Sequence, residues 1–152
     1  MELKTVGLTK RYGPKTAGDH LSVTLTSGVY GLLGQNGAGK PTLMRLFCTV
    51  QEPPAGKILL DGEPVREMGE EYRSLLGYLP QHFGYYPDFT ALDFLLYMAA
   101  VKGLPDRAAK IRARELLEAV GLAGESRRKV KTFSCGMKQR LGIAQAMLND
   151  PK

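Results

Sequence analysis

Apolar and polar residues alternate over Glu2 to Leu8 and again over Leu21 to Leu25, the period-two pattern of strands with one wet face. Val29 to Leu33 (VYGLL) and Leu76 to Leu79 (LGYL) carry no charge or amide, which predicts short strands buried on both faces. Ser27-Gly28 reads as a turn, and Ile58 to Leu60 followed by Asp61-Gly62 reads as a strand entering another. A short helix is expected over Thr42 to Phe47, and a weaker one over Glu67 to Ser74. Beyond Pro80 the period lengthens. Ala91 to Lys102 and Arg107 to Val120 repeat their apolar residues at helical spacing, with Gly103 and Gly121 placed to stop them. Ser134 is positioned to cap a last helix to about Leu148, ended by Asn149, Asp150 and Pro151. A mixed sheet region followed by a helical region is the expected order.

Composition changes this picture little. The chain of 152 residues, 43% hydrophobic and 24% charged, suffices for one domain with a real core. Its longest apolar run, Phe94 to Val101, is far shorter than the roughly 20 residues a membrane helix needs. The opening MELKTVGLTKRYG is charged from its second residue and does not read as a signal peptide. Cys48 and Cys135 lie far apart without metal or disulfide spacing, which suits a reducing interior. The net charge of +6 is uneven: residues 1–76 hold 9 Lys and Arg against 8 Asp and Glu, residues 77–152 hold 12 against 7. A basic half is compatible with phosphate, nucleic acid or anionic lipid. Aromatic residues do not interleave with Arg107 to Arg114 or Arg127 to Lys131 as base stacking requires, so these read as solvated faces and no nucleic-acid partner is expected.

The chemistry is concentrated in GLLGQNGAGKPT, residues 31–42. Glycines at 34, 37 and 39 let backbone approach a ligand closely. Successive N–H groups and the positive end of the following helix then favour an anion, and Lys40 adds a point charge for outer phosphates. Strand, glycine loop and helix in that order form the context of a phosphate-binding loop.

With this loop the chain resembles the ATP-binding subunit of the ATP-binding cassette (ABC) transporter family, and four motifs carry the resemblance in the family's order. Tyr12, in KRYG, matches the aromatic residue that stacks on adenine. Gly34, Gln35, Asn36, Gly37, Ala38, Gly39, Lys40, Pro41 and Thr42 match the Walker A loop. Gln81, in GYLPQ, matches the Q-loop glutamine and is the expected catalytic residue, helping to hold the metal and the attacking water. Ser134, Cys135, Gly136 and Met137, in TFSCGMKQR, match the signature sequence that meets the γ-phosphate held by the opposite subunit. The resemblance implies an α/β fold of the P-loop NTPase, ABC-cassette type, with a mixed β core, an α-helical subdomain and an incomplete C-terminal side. It implies one partial ATP-binding domain over 1–152, divided into a β and P-loop core (1–80) and a helical subdomain (81–150). ATP and Mg²⁺ are the implied cofactors. A membrane subunit and a second cassette, identical or different, arranged head to tail are the implied partners, with the chain at the cytoplasmic face of the membrane. The stretch HFGYYPDFTALDFLLYMAAVKGLP looks most like bacterial exporter cassettes.

Three departures qualify the resemblance. Pro41 stands where the family has the hydroxyl that binds Mg²⁺, and it removes an N–H as well. Its ring also disfavours a helical Lys40. Thr42 lies one residue on, about 100° around a helix, and is poorly placed to substitute. Cys135 replaces the first signature glycine, keeping its N–H but adding bulk. The family's Walker B aspartate and glutamate and its switch histidine have no match; His20 and His82 both precede the signature. Two readings therefore stand: the ATP-binding component of an exporter, or a degenerate cassette that at most binds nucleotide.

Overall fold

A computed structural model describes residues 1–12 and 15–152, with the backbone alone at 10–12 and 15–19. The chain divides into two units, Met1–Arg73 and Ser74–Lys152.

In the first unit, β1 (Leu3–Tyr12) pairs antiparallel with β2 (Lys15–Leu25) on one side and β3 (Ala55–Leu60) on the other. The short β4 (Glu63–Pro64) closes the order β2-β1-β3-β4. The β3–β4 hairpin turns through Asp61 (φ 49°) and Gly62 (φ 91°), with Leu60 opposite Glu63. Left-handed dihedrals at both central residues match the strand twist, which is why Asp-Gly serves here. The register of β1 slips between Val6 and Thr9 against β3. There Gly56 (φ 87°) has no room for a side chain, because a Cβ would lie against the Gly7 carbonyl. Leu8, Ile58 and Leu60 turn inward and meet Leu46 of α1 (Lys40–Phe47), Val65 of α2 (Val65–Met68) and Tyr72 of α3 (Glu70–Ser74) in burial. Thr5 is buried among them without penalty: its hydroxyl donates to the Leu21 carbonyl at 3.0 Å and accepts the Val23 N–H at 3.0 Å.

The second unit is helical. Thr90 caps α4 (Ala91–Val101), accepting the Asp93 N–H at 3.1 Å and donating to the Asp93 carboxylate at 2.6 Å, a local capping exchange of the kind that fixes helix starts. Gly103 (φ 78°) lies beyond its end. The helix α5 (Asp106–Ala119) follows Pro105, and α6 (Cys135–Ala146) starts at the Ser134 cap. Ala91, Leu95 and Ala99 of α4, Ala109, Ala113 and Leu117 of α5, and Leu141 and Ala144 of α6 form the core with Val130 and Phe133. The spacing of four residues along α4 and α5 is the inward stripe of an amphipathic helix.

Two expected strands are absent as strands. Val29 to Leu33 is irregular and exposed, Val29 at 104% and Leu33 at 92%. Leu76 to Leu79 is also irregular. Among the described residues no strand pairs with either. An apolar run supplies the side chains of a buried strand, but the ladder needs a neighbour's N–H and C=O groups. The 74–77 backbone is held otherwise: Asn149 Nδ2 donates to the Ser74 carbonyl at 2.6 Å, and the Lys152 N–H to the Leu75 carbonyl at 3.0 Å. The weak helix expected over 67–74 is two short helices, broken at Gly69 (φ 57°).

Candidate phosphate-binding site

The glycine loop leads into α1, and residues 34–38 face solvent. Gly39 serves as the helix N-cap in the left-handed region (φ 88°, ψ 11°), with no side-chain cap and no acidic residue in the first turn. The first helical N–H groups have no intrahelical partner. Among the described residues no side-chain cap bonds to them and the first turn holds no acid, which suits an external anion. A Cβ on Gly37 (φ 86°) would meet nothing within 4 Å. A cavity of about 90 Å³ beside the loop is lined by Leu8, Leu21 and Leu33 together with Lys40 and Thr42.

Lys40 folds back onto the loop. Its ammonium donates to the Gly34 carbonyl at 2.5 Å and the Gln35 carbonyl at 2.9 Å, engaging two of its three N–H bonds. The loop is further tightened by the Ala38 N–H on the Gln35 carbonyl at 3.2 Å. The lysine closes the ring of the loop and holds its charge at the rim.

Pro41 is accommodated in the first turn of α1, which begins at Lys40, two residues earlier than the sequence predicts. Lys40 is helical despite the ring that follows it. In a first turn the missing N–H has no carbonyl to bond, and the ring meets no preceding turn. Pro41 is exposed and Thr42 half-buried. Among the described residues no group of three or more His, Cys, Asp or Glu could hold a metal. A hard cation such as Mg²⁺ would depend on phosphate oxygens, water and amide or hydroxyl oxygen. The loop fits a polyphosphate; its fit to the metal is the weaker part.

The other expected residues are distributed as follows. The Tyr12 side chain lies outside the described residues. Gln81 is exposed in a bend of the second unit. Ser134 Oγ accepts the Met137 N–H at 3.2 Å and caps α6 as expected. Cys135 and Gly136 are exposed at the start of the helix, and a Cβ on Gly136 would meet nothing within 4 Å. Met137 turns against the helical core. The basic stretch is partly tied to acids of its own unit: Lys131 to Asp88 at 2.7 Å, Lys129 to Asp88 at 3.6 Å and Arg128 to Glu125 at 2.7 Å. Lys131 beside Asp88, followed by Lys129, holds that carboxyl below its usual range.

Two features escape a sequence reading. Arg140 of α6 donates to the Val120 and Gly121 carbonyls at 3.0 and 3.1 Å, closing the end of α5. Gly142, inside α6, lies directly under Leu79 and Phe83; its only signal in sequence is a glycine where a helix prefers alanine.

Comparison with known proteins bears on the family and the fold. The family described as "ABC transporter" matches residues 19–152. The chain is 40% identical over 151 residues to the bacitracin transport ATP-binding protein BcrA of Bacillus licheniformis, covering 99% of this chain and 48% of that protein. It is 41% identical over 143 residues to the Nod factor export ATP-binding protein I of Burkholderia lata, covering 93% and 47%. A solved ATP binding subunit of an ABC transporter superposes with a TM-score of 0.83 at 27% identity, over 99% of this chain and 63% of that one. The cbiO1 structure from Clostridium perfringens, part of the transporter complex cbiONQ, gives 0.83 at 25% identity, over 99% and 62%. The chain thus spans about half the length of the curated relatives it matches, and its fold is that of their ATP-binding cassette.

Proposed function

As a member of the ABC transporter family, this chain is, we propose, the part of an exporter's ATP-binding subunit that grips the triphosphate of ATP and presents the signature end to a second cassette. The observation that carries this is the start of α1: an uncapped, acid-free helix N-terminus entered through left-handed Gly39, with the Lys40 ammonium at its rim. On this reading Gly34 to Thr42 hold the phosphates through backbone N–H groups and Lys40, and Tyr12 stacks on the base. Mg²⁺, when bound, would neutralise charge at the outer phosphates, and Gln81 would contribute an oxygen to hold it and would orient the water. Gly136, with open space around it, leaves room for the γ-phosphate held by the opposite cassette, and Cys135 narrows that approach. Export is supported by the names of the two curated relatives, both of transport or export systems. The membrane subunit, the head-to-tail pairing, the cytoplasmic location and the division into a 1–80 core and an 81–150 helical subdomain belong to the same proposal.

The test is ATP binding by the purified chain. Lys40→Ala removes a charge-assisted contact of about 1.5–3 kcal/mol and should weaken ATP binding about 10- to 100-fold. An unchanged dissociation constant would overturn the reading.

Pro41 favours a second reading, a cassette that holds nucleotide without turning it over. It predicts no phosphate release above background, in the presence of Mg²⁺, from a chain that binds ATP. Turnover at the rate of an ordinary cassette would remove this alternative.

A further inference from the structure

A cavity of about 390 Å³ lies beside the C-terminal end of α1, lined wholly by residues of the first unit. Leu46, Ile58 and Val65 form its apolar part, and all three are buried. Cavities of this size, with an apolar lining and a few polar groups, are the kind that hold small organic ligands. Neither the glycine loop nor the signature residues contribute to it.

Two oddities meet at one residue of the lining. Thr49 has φ 52°, a left-handed conformation in which a β-branched side chain is an outlier; helices that end this way use glycine or asparagine as a rule. Its Oγ1 is also the one buried side-chain N or O atom without a hydrogen-bond partner among the described residues. A buried hydroxyl left unpaired is rare and asks for a cause. An acceptor brought by a ligand supplies one. The lining carries charge as well. Arg66 is matched by Glu52 at 3.3 Å. Lys57 and Arg73 are exposed, and their side chains engage no acid among the described residues. Glu67 is the one uncommitted acid beside them. The excess favours an anionic group, and the arginine fork suits a carboxylate.

We propose that this cavity is a second ligand site, independent of the nucleotide reading, and that it takes a small amphiphilic carboxylate. The apolar body lies over Leu46, Ile58 and Val65, where removal of its surface from water drives binding. The carboxylate faces Lys57 and Arg73, whose charges offset its lost hydration. It also accepts the Thr49 hydroxyl, the donor that the chain leaves unused.

The test is titration of the 152-residue chain with octanoate, followed by calorimetry and amide chemical shifts. One saturable site is expected, with shifts centred on residues 46–73. The neutral 1-octanol should bind about tenfold more weakly. Arg73→Glu and Lys57→Glu reverse exposed charges; each should weaken octanoate about tenfold and leave the melting temperature alone. Thr49→Val keeps the branched shape and deletes the hydroxyl. It should not destabilise the free chain, since no hydrogen bond is lost, yet it should weaken octanoate about fivefold. Unchanged binding in this variant overturns the role of the hydroxyl. Octanol that binds as tightly as octanoate overturns the anionic class. Binding that resists both charge reversals and disappears in Val29→Lys places the probe on the exposed 29–33 run and overturns the site. The absence of saturable binding up to millimolar octanoate overturns it as well.

Discussion

At Pro41 one ring decides how much of a nucleotide site remains. The proline costs α1 no hydrogen bond, since the first turn has none to lose at that position. What it withholds is a hydroxyl and an N–H on the face where phosphates would lie. Pro41→Thr should therefore leave thermal stability nearly unchanged and strengthen ATP binding mainly when Mg²⁺ is present. Dissociation constants measured with and without the metal test this, and an equal change in both would contradict it. Tyr72 is the opposite case, a residue whose role is internal. It is 2% exposed and its hydroxyl donates to the Phe47 carbonyl at 2.7 Å, tying α3 to the end of α1. Burial raises its pKa from 10.0 to about 12, with Cys48 adding to the shift. The folded state thus keeps a proton that the unfolded chain releases near pH 10. The contribution to stability is level below pH 10 and declines between 10 and 12. Tyr72→Phe should cost about 1 kcal/mol at neutral pH and flatten that alkaline decline. Denaturant melts of both proteins at pH 8 and 11 check it; equal alkaline losses would refute the assignment.

Elements differ in how much of themselves they carry in their own residues. The start of α6 is legible because Ser134 bonds to an N–H group three residues on, a local fact written locally; the start of α4 follows from its helical spacing, while its Thr90 cap is seen only in the structure. The ends of α4 and α5 were legible for the same reason, through left-handed Gly103 and Gly121. The Asp61-Gly62 hairpin likewise follows from two dihedral preferences. Val29 to Leu33 and Leu76 to Leu79 are irregular where their pattern predicts strands, because a strand is a relation between segments and periodicity sees only one of them. The contact of Leu79 and Phe83 with α6 was illegible for a related reason: Gly142 shows its place only once both are above it. The cap at Ser134 also allows stability and function to be separated. Ser134→Ala should destabilise the helical unit by about 1 kcal/mol. Ser134→Asp keeps a capping oxygen and favours the helix dipole, yet places a negative charge where a phosphate would approach. It should melt like wild type while losing any ATP-induced association of two chains in sedimentation. Association as strong as wild type in the aspartate variant would show that this end does not face a phosphate.

Across the whole molecule, charge is distributed in a way that bears on how the chain behaves in solution. The net +6 comes from residues outside one stretch: from Leu21 to Gly39 there is no Lys, Arg, Asp or Glu. Within that stretch lie Val29 at 104% exposure, Tyr30 at 55% and Leu33 at 92%, in irregular backbone with no ladder partner among the described residues. Unpaired backbone groups beside exposed apolar side chains, without proline or charge to interrupt them, are the conditions under which one chain pairs with another. Long-range repulsion from the +6 opposes this only at low ionic strength, since the Debye length falls to about 8 Å at physiological salt. The chain of 152 residues should therefore be monodisperse at low salt and associate as salt rises, the reverse of an assembly held by ion pairs. Val29→Lys puts a charge on a side chain that touches almost nothing, so it should leave the melting temperature alone and raise the salt concentration at which light scattering begins. Scattering that sets in at the same salt in both proteins would place the association elsewhere, and scattering that weakens with salt would identify it as electrostatic.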